Sequence, residues 1–209
     1  MTDVAPRAII PFMVLSQPHQ EKDKEETMID REPYTPGPAG GAEVRKDGEQ
    51  WTLVFTRELR HAPDKVWQAL TDPKQLREWA PFDADRSLAK AGANVKLTTV
   101  NAPTPHVTET TVSKADAPRV LEYQWGGQDI RWELEPTGSG TRLTLRHNID
   151  RRFISMGAAG WHICFDVLDR LLGGQPLGRI VGPEVMKFEG WQRLNADYAL
   201  QLGVEVPSW

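Results

Sequence analysis

The sequence predicts an α+β fold in which a curved antiparallel sheet of about six or seven strands wraps around a long C-terminal helix, with two short helices after the first strand. Three kinds of observation predict it. Apolar residues alternate in run after run between Trp51 and His147, the period of strands. The turns joining the later runs are too short for parallel crossovers, so those strands form an antiparallel meander. After Asn148 the apolar spacing lengthens to three and four, the period of a helix.

The first 48 residues have a different texture. Gln17–Glu49 is polar, charged and rich in turn formers, including Pro33, Pro36, Gly37, Pro38, Gly40 and Gly41. Proline removes backbone donors and glycine raises the entropy cost of ordering, so such a segment buries too little to order itself as a core. The expected division is a disordered or loosely docked N-terminal tail over 1–48 and one domain over 49–209. Within the tail, Ala8–Leu15 is apolar but short and interrupted by Pro11. It reads as a sticky patch rather than a signal peptide or a spanning helix, which needs about 20 apolar residues.

From Trp51 each element has its own justification. Trp51, Leu53, Phe55 and Leu59 share one face of a first strand, with Arg57 in the same inward register. Ala62–Leu70 is a helix: Pro63 suits its first turn, Asp64 its positive end, and Val66, Trp67 and Leu70 its buried stripe. Asp72 and Pro73 end it and cap a second helix that turns Leu76 and Trp79 inward. Arg86–Lys90 and Asn94–Val100 are expected as strands about a tight turn, followed by His106–Ser113. Val120–Trp125 carries Leu121, Tyr123 and Trp125 on one face, and Gly126-Gly127 makes a hairpin turn into a strand lined by Ile130, Trp132 and Leu134. The last strand places Leu143, Leu145 and His147 together. Trp161, Phe165, Leu168, Leu171 and Leu172 then mark a helix ended by Gly173-Gly174, and 175–183 is a loop. A last helix runs from Met186 or Lys187 to Leu202, with Phe188, Trp191, Leu194, Tyr198 and Leu202 along one side.

Several local sequences carry a family likeness. Ala62-Pro63-Asp64-Lys65-Val66-Trp67-Gln68-Ala69-Leu70-Thr71-Asp72-Pro73, followed by Trp79, resembles the opening of the heat-shock-protein-90 ATPase activator homologues. Ala117-Pro118-Arg119-Val120-Leu121 is similar to that family's central strand, and Gly140–His147 to its last strand. Gly160-Trp161 with Leu168 resembles the start of its long helix. The likeness covers 51–173 and extends more loosely to 203. It implies the helix-grip fold of the START-like or SRPBCC superfamily (Bet v 1-like), whose members bind lipids, hormones, polyketides or other apolar molecules between sheet and helix. Some members are aromatases or cyclases. A chaperone contact and a stress-response role are what the family name alone suggests, because a Pro/Gly-rich tail stands here where the eukaryotic co-chaperone carries an added domain.

Composition narrows the function further. The net charge of -4 and the near-neutral balance offer no basic field for nucleic acid. One cysteine, Cys164, rules out an internal disulfide or a cysteine zinc cluster and suits a reducing, cytoplasmic setting. No phosphate loop, dinucleotide fingerprint, nucleophile elbow or metal-protease motif occurs, so no cofactor, metal or catalytic residue is expected. The eight tryptophans are the notable resource. The expected function is binding of a small hydrophobic or aromatic molecule (lipid, polyketide or aromatic) in an internal cavity. Trp79, Phe82, His106, Tyr123, Trp125, Trp132, His147, Trp161, His162 and Phe165 are the candidate ligand-binding residues. The alternatives are a cyclase or hydrolase using pocket histidines, and a protein-interaction module. Homodimerisation through the last helix or the 8–15 patch is left open by the sequence.

Overall fold

The computed structural model describes residues 34–101, 104 and 106–206. The apolar run at 8–15 and the expected tail through residue 33 lie outside them. Strands β1 (Ala42–Asp47) and β2 (Gln50–Leu59) lead into helices α1 (Pro63–Thr71) and α2 (Pro73–Trp79). Then come β3 (Phe82–Ala84), β4 (Asn94–Thr99), β5 (His106–Thr111), β6 (Lys114–Asp116), β7 (Val120–Trp125), β8 (Gln128–Thr137) and β9 (Gly140–Asn148). The chain closes with α3 (Ile154–Leu172) and α4 (Glu189–Leu202).

Six strands form one antiparallel sheet in the order β1-β2-β9-β8-β7-β6, and β3-β4-β5 form a second. Threonine hydroxyls join the two sheets. The backbone N–H groups of Gln124 and Gly126 on the β7 side donate to Thr110 Oγ1 at 3.1 Å and Thr108 Oγ1 at 2.9 Å. The inward faces of β2, β7, β8 and β9 bury Leu53, Phe55, Leu121, Tyr123, Ile130, Trp132, Leu143 and Leu145 against α3. The helix-grip architecture expected from the sequence is the one observed, with α3 as the long helix and α4 laid along it.

The local rules hold in detail. Asp72 Oδ1 accepts from Lys74 N at 2.9 Å and caps α2, and Pro73 opens that helix. Trp79 Nε1 donates to Ala69 O at 3.0 Å, locking α2 against α1. Gly126 and Gly127 have φ of 61° and 76°, as the two-residue hairpin between β7 and β8 requires. On the outer face, Arg131 pairs with Glu122 and Glu133, and Arg146 Nε meets Glu133 Oε2 at 3.0 Å.

Three parts of the strand reading need correction, the first being the short edge strand β6, which the sequence reading does not contain. Arg86–Lys90 is not a strand; the chain pairs earlier, at β3, where Phe82 and Ala84 can be buried. Residues 42–47, read as tail, form edge strand β1 on β2, with Ala42 opposite Phe55 and Val44 opposite Leu53. Its alternation is weak because only one side of an edge strand is partnered and its exposed residues are charged.

Candidate functional site

One end of the grip is not filled. Between the mouth of the sheet, α3 and the 175–188 segment lies a pocket of about 500 Å³. Pro81, Thr99, Trp125, Gln128 and His147 supply the strand side, and Ile149 and Phe153 the turn into α3. Met156, Gly157, Gly160, Trp161 and Cys164 form the helix side. Ile180, Val181, Gly182, Val185, Met186 and Trp191 close the third side.

The hollow has a local cause on α3. Gly160 and Cys164, one turn apart on the face turned to the pocket, carry little side-chain bulk there, while Gly157 is packed closely by Ile149, whose Cδ1 a Cβ would meet at 2.8 Å. Each mid-helix glycine costs about 1 kcal/mol relative to alanine. A Cβ placed on Gly160 would meet nothing within 4 Å. The third side is held by Gly182, whose φ of 91° and close approach to Asn101 exclude a side chain. Asn101 Nδ2 donates to Val181 O at 3.3 Å beside it.

The pocket's polar chemistry runs through His147. Trp161 Nε1 donates to His147 Nδ1 at 3.1 Å, and His147 Nε2 meets Gln128 Oε1 at 2.7 Å. An indole N–H can only donate, so Nδ1 is the acceptor and the neutral ring carries its proton on Nε2. Burial pushes the imidazole down to about 4, so it stays neutral at physiological pH. Trp125 Nε1 donates to Thr99 Oγ1 at 3.1 Å. The Cys164 thiol is pushed up to about 12, chiefly by burial.

The sequence of residues 60–173 matches the family model for activator of Hsp90 ATPase homolog 1-like proteins, more than half of the chain. The chain belongs to this family. No curated protein matches it. Solved structures share the family's fold. CalU16 from Micromonospora echinospora is 20% identical, with a TM-score of 0.55 over 76% of this chain and 94% of its own. A conserved protein of unknown function from Enterococcus faecalis is 16% identical, with a TM-score of 0.56 over 78% and 92%. MLL2253 from Mesorhizobium loti is 25% identical, with a TM-score of 0.51 over 59% and 97%. Activator-homologue folds of the SRPBCC superfamily often accommodate hydrophobic ligands, and the pocket lies where the grip of this family member opens.

The ten candidate residues divide into four groups. Trp125, His147 and Trp161 line the pocket. Trp79, Phe82, Tyr123, Trp132 and Phe165 do not; they fill the interior as an aromatic cluster, because the space between sheet and α3 is occupied there. Trp132 stands edge-on to Trp79 and Trp161, with centroids 6.0 and 5.5 Å away, and donates Nε1 to Tyr123 Oη at 2.9 Å. His106 is exposed at the start of β5, across the ladder from Thr99, and is not among the residues that line the pocket.

His162 points to another side of α3. Its Nδ1 meets Tyr198 Oη at 2.8 Å, and its Nε2 lies 3.5 Å from Asp166 Oδ2. Arg57 reaches Asp166 Oδ1 at 3.2 Å, and Tyr34 Oη donates to Asp166 Oδ2 at 2.6 Å. Burial raises the Asp166 carboxyl, but these donors and the Arg57 charge outweigh it and hold it below the usual carboxylate range. This is a structural ion-pair network under residues 34–41. Sequence reasoning missed most of the pocket's third side, since a loop carries no periodicity; the Gly160/Cys164 spacing was the available signal.

Among the described residues no group of His, Cys, Asp and Glu is arranged to hold a metal, and no helix is long and apolar enough to cross a membrane.

Proposed function

We propose that this protein binds a small hydrophobic or aromatic molecule in the pocket between the sheet mouth, α3 and the 175–188 segment, acting as a carrier or sensor. The observation that carries the reading is a hollow of about 500 Å³ with largely apolar walls, kept open by Gly160 on the helix that otherwise fills the grip. That volume falls within the range of small-molecule sites, about 300–1,000 Å³. Acid–base and nucleophilic roles find little support at neutral pH. His147 has both ring nitrogens engaged and is held neutral, and Cys164 is held as the thiol.

Trp125, Trp161 and Trp191 on the walls make intrinsic fluorescence the direct test. Titration with a panel of lipids, polyketides and polycyclic aromatics is expected to quench or shift the emission saturably for at least one class. Gly160→Leu, which fills the hollow, is expected to abolish that response. A flat response across the panel, or one unchanged in Gly160→Leu, would overturn the reading.

A further inference from the structure

Two polar side chains that border the pocket, Gln128 and Thr99, are left with hydrogens to donate. Trp161 spends its indole N–H on His147, which fixes the imidazole proton on Nε2, and that proton requires an acceptor. The Gln128 amide must therefore turn its oxygen to His147 and its NH₂ group away from it. No protein acceptor among the described residues takes those two hydrogens. Thr99 Oγ1 accepts from Trp125, so its own hydrogen is also left to donate. Gln128 and Thr99 both border the pocket, and Gln128 sits directly across the hairpin from Trp125. None of the described side chains lining it is an Asp, Glu, Lys or Arg.

The walls around these donors are aromatic. Trp125 and Trp161 have centroids 6.1 Å apart and planes inclined at 76°. A flat ring can stack on one and meet the edge of the other, the two favoured aromatic geometries. With their indole N–H groups committed to protein, Trp125 and Trp161 offer surface and no further hydrogen bonds.

We infer that the pocket selects an uncharged, planar aromatic molecule bearing a carbonyl-type hydrogen-bond acceptor, with the Gln128 amide as the donor that determines specificity. This rests on the ligand-binding reading above and narrows its ligand class. A carboxylate is rejected because its charge would be desolvated without a counter-charge. A plain hydrocarbon binds more weakly because the donors lose water and gain no partner. His147 lines the pocket as well, but with both ring nitrogens engaged its part in selection is that of a positioning residue that orients the Gln128 amide.

Three probes of nearly one shape separate the possibilities: 9-fluorenone, fluorene and fluorene-9-carboxylate, titrated against the full chain by tryptophan fluorescence. Fluorenone is expected to bind roughly three- to tenfold more tightly than fluorene, the ratio one net hydrogen bond supports. The carboxylate is expected to bind more weakly than either. In Gln128→Leu the fluorenone affinity should fall to that of fluorene, while fluorene is unchanged; His147→Phe, which frees the amide, should shrink the same ratio. Gln128→Glu, which keeps the shape but replaces the donors by a charge, should lose the preference as well. Equal binding of fluorenone and fluorene, preference for the carboxylate, or a ratio that survives Gln128→Leu would overturn the ligand class while leaving the pocket reading intact. Absence of binding by all three probes, in a chain whose emission also ignores the wider panel, would overturn both.

Discussion

At the scale of single residues, His147 shows how one side chain can serve structure and site together. The groups against it are Trp125, Trp161 and Gln128, and none of them titrates near neutrality. Burial holds its folded pKa at about 4, below the ordinary imidazole value near 6.5. Between those values the unfolded chain binds the proton and the folded chain does not, so stability falls as pH drops from about 6.5 to about 4. Above about 6.5 both states are neutral and this contribution is flat. Urea midpoints of the wild type and His147→Gln, measured from pH 7.5 to 4.5, are expected to diverge in the wild type's disfavour as pH falls. Parallel pH profiles would contradict a neutral buried imidazole. Cys164, by contrast, follows the bland sequence expectation: a buried helix thiol held protonated.

At the scale of elements, α3 is read differently on its different sides. Trp161, Phe165 and Leu168 bury toward the core, Gly160 opens the pocket, and His162 and Asp166 face α4 and the 34–41 segment. The strands, the two Pro-led helices and α3 were legible because their buried faces repeat at a fixed period. Edge strands β1, β3 and β6 were not, because burial on one side of a short strand leaves little pattern. Of the candidate residues, Trp125, His147 and Trp161 reach the pocket. Trp79, Phe82, Tyr123, Trp132 and Phe165 also face inward but farther along the grip, and register says that a side chain points inward, not whether space remains there.

The 34–41 segment is tied to α4 at several points. Tyr198 Oη donates to Gly40 O at 2.9 Å and accepts from Gly40 N at 3.1 Å, while Arg193 reaches Pro36 O. Tyr198→Phe removes the hydroxyl on which Gly40 and His162 converge. It is expected to cost about 1–3 kcal/mol, the desolvation penalty of buried groups left unpaired. Chemical denaturation would measure the loss, and limited proteolysis should show earlier cleavage within 34–41. A variant as stable and as protease-resistant as the wild type would mean that this tie contributes nothing.

At the scale of the whole molecule, the grip has a filled end and an open end, and the two should respond oppositely to substitution. At the filled end, Trp132 is fully buried, packs on Trp79, Trp161 and Phe165, and donates to Tyr123. Trp132→Ala removes that contact area and leaves the Tyr123 hydroxyl without its indole donor, so a loss of about 3–5 kcal/mol is expected. At the open end, Gly160→Leu adds side-chain volume where a Cβ meets no neighbour and replaces the helix's least favourable interior residue after proline. Its stability should therefore rise, by about 0.5–1 kcal/mol, even as ligand response is lost. Thermal melts beside fluorescence titrations distinguish a hollow kept for a ligand from a packing defect. If Gly160 is there for a ligand, stability and binding move in opposite directions in Gly160→Leu. If the hollow is only imperfect packing, filling it raises stability and no binding is there to lose.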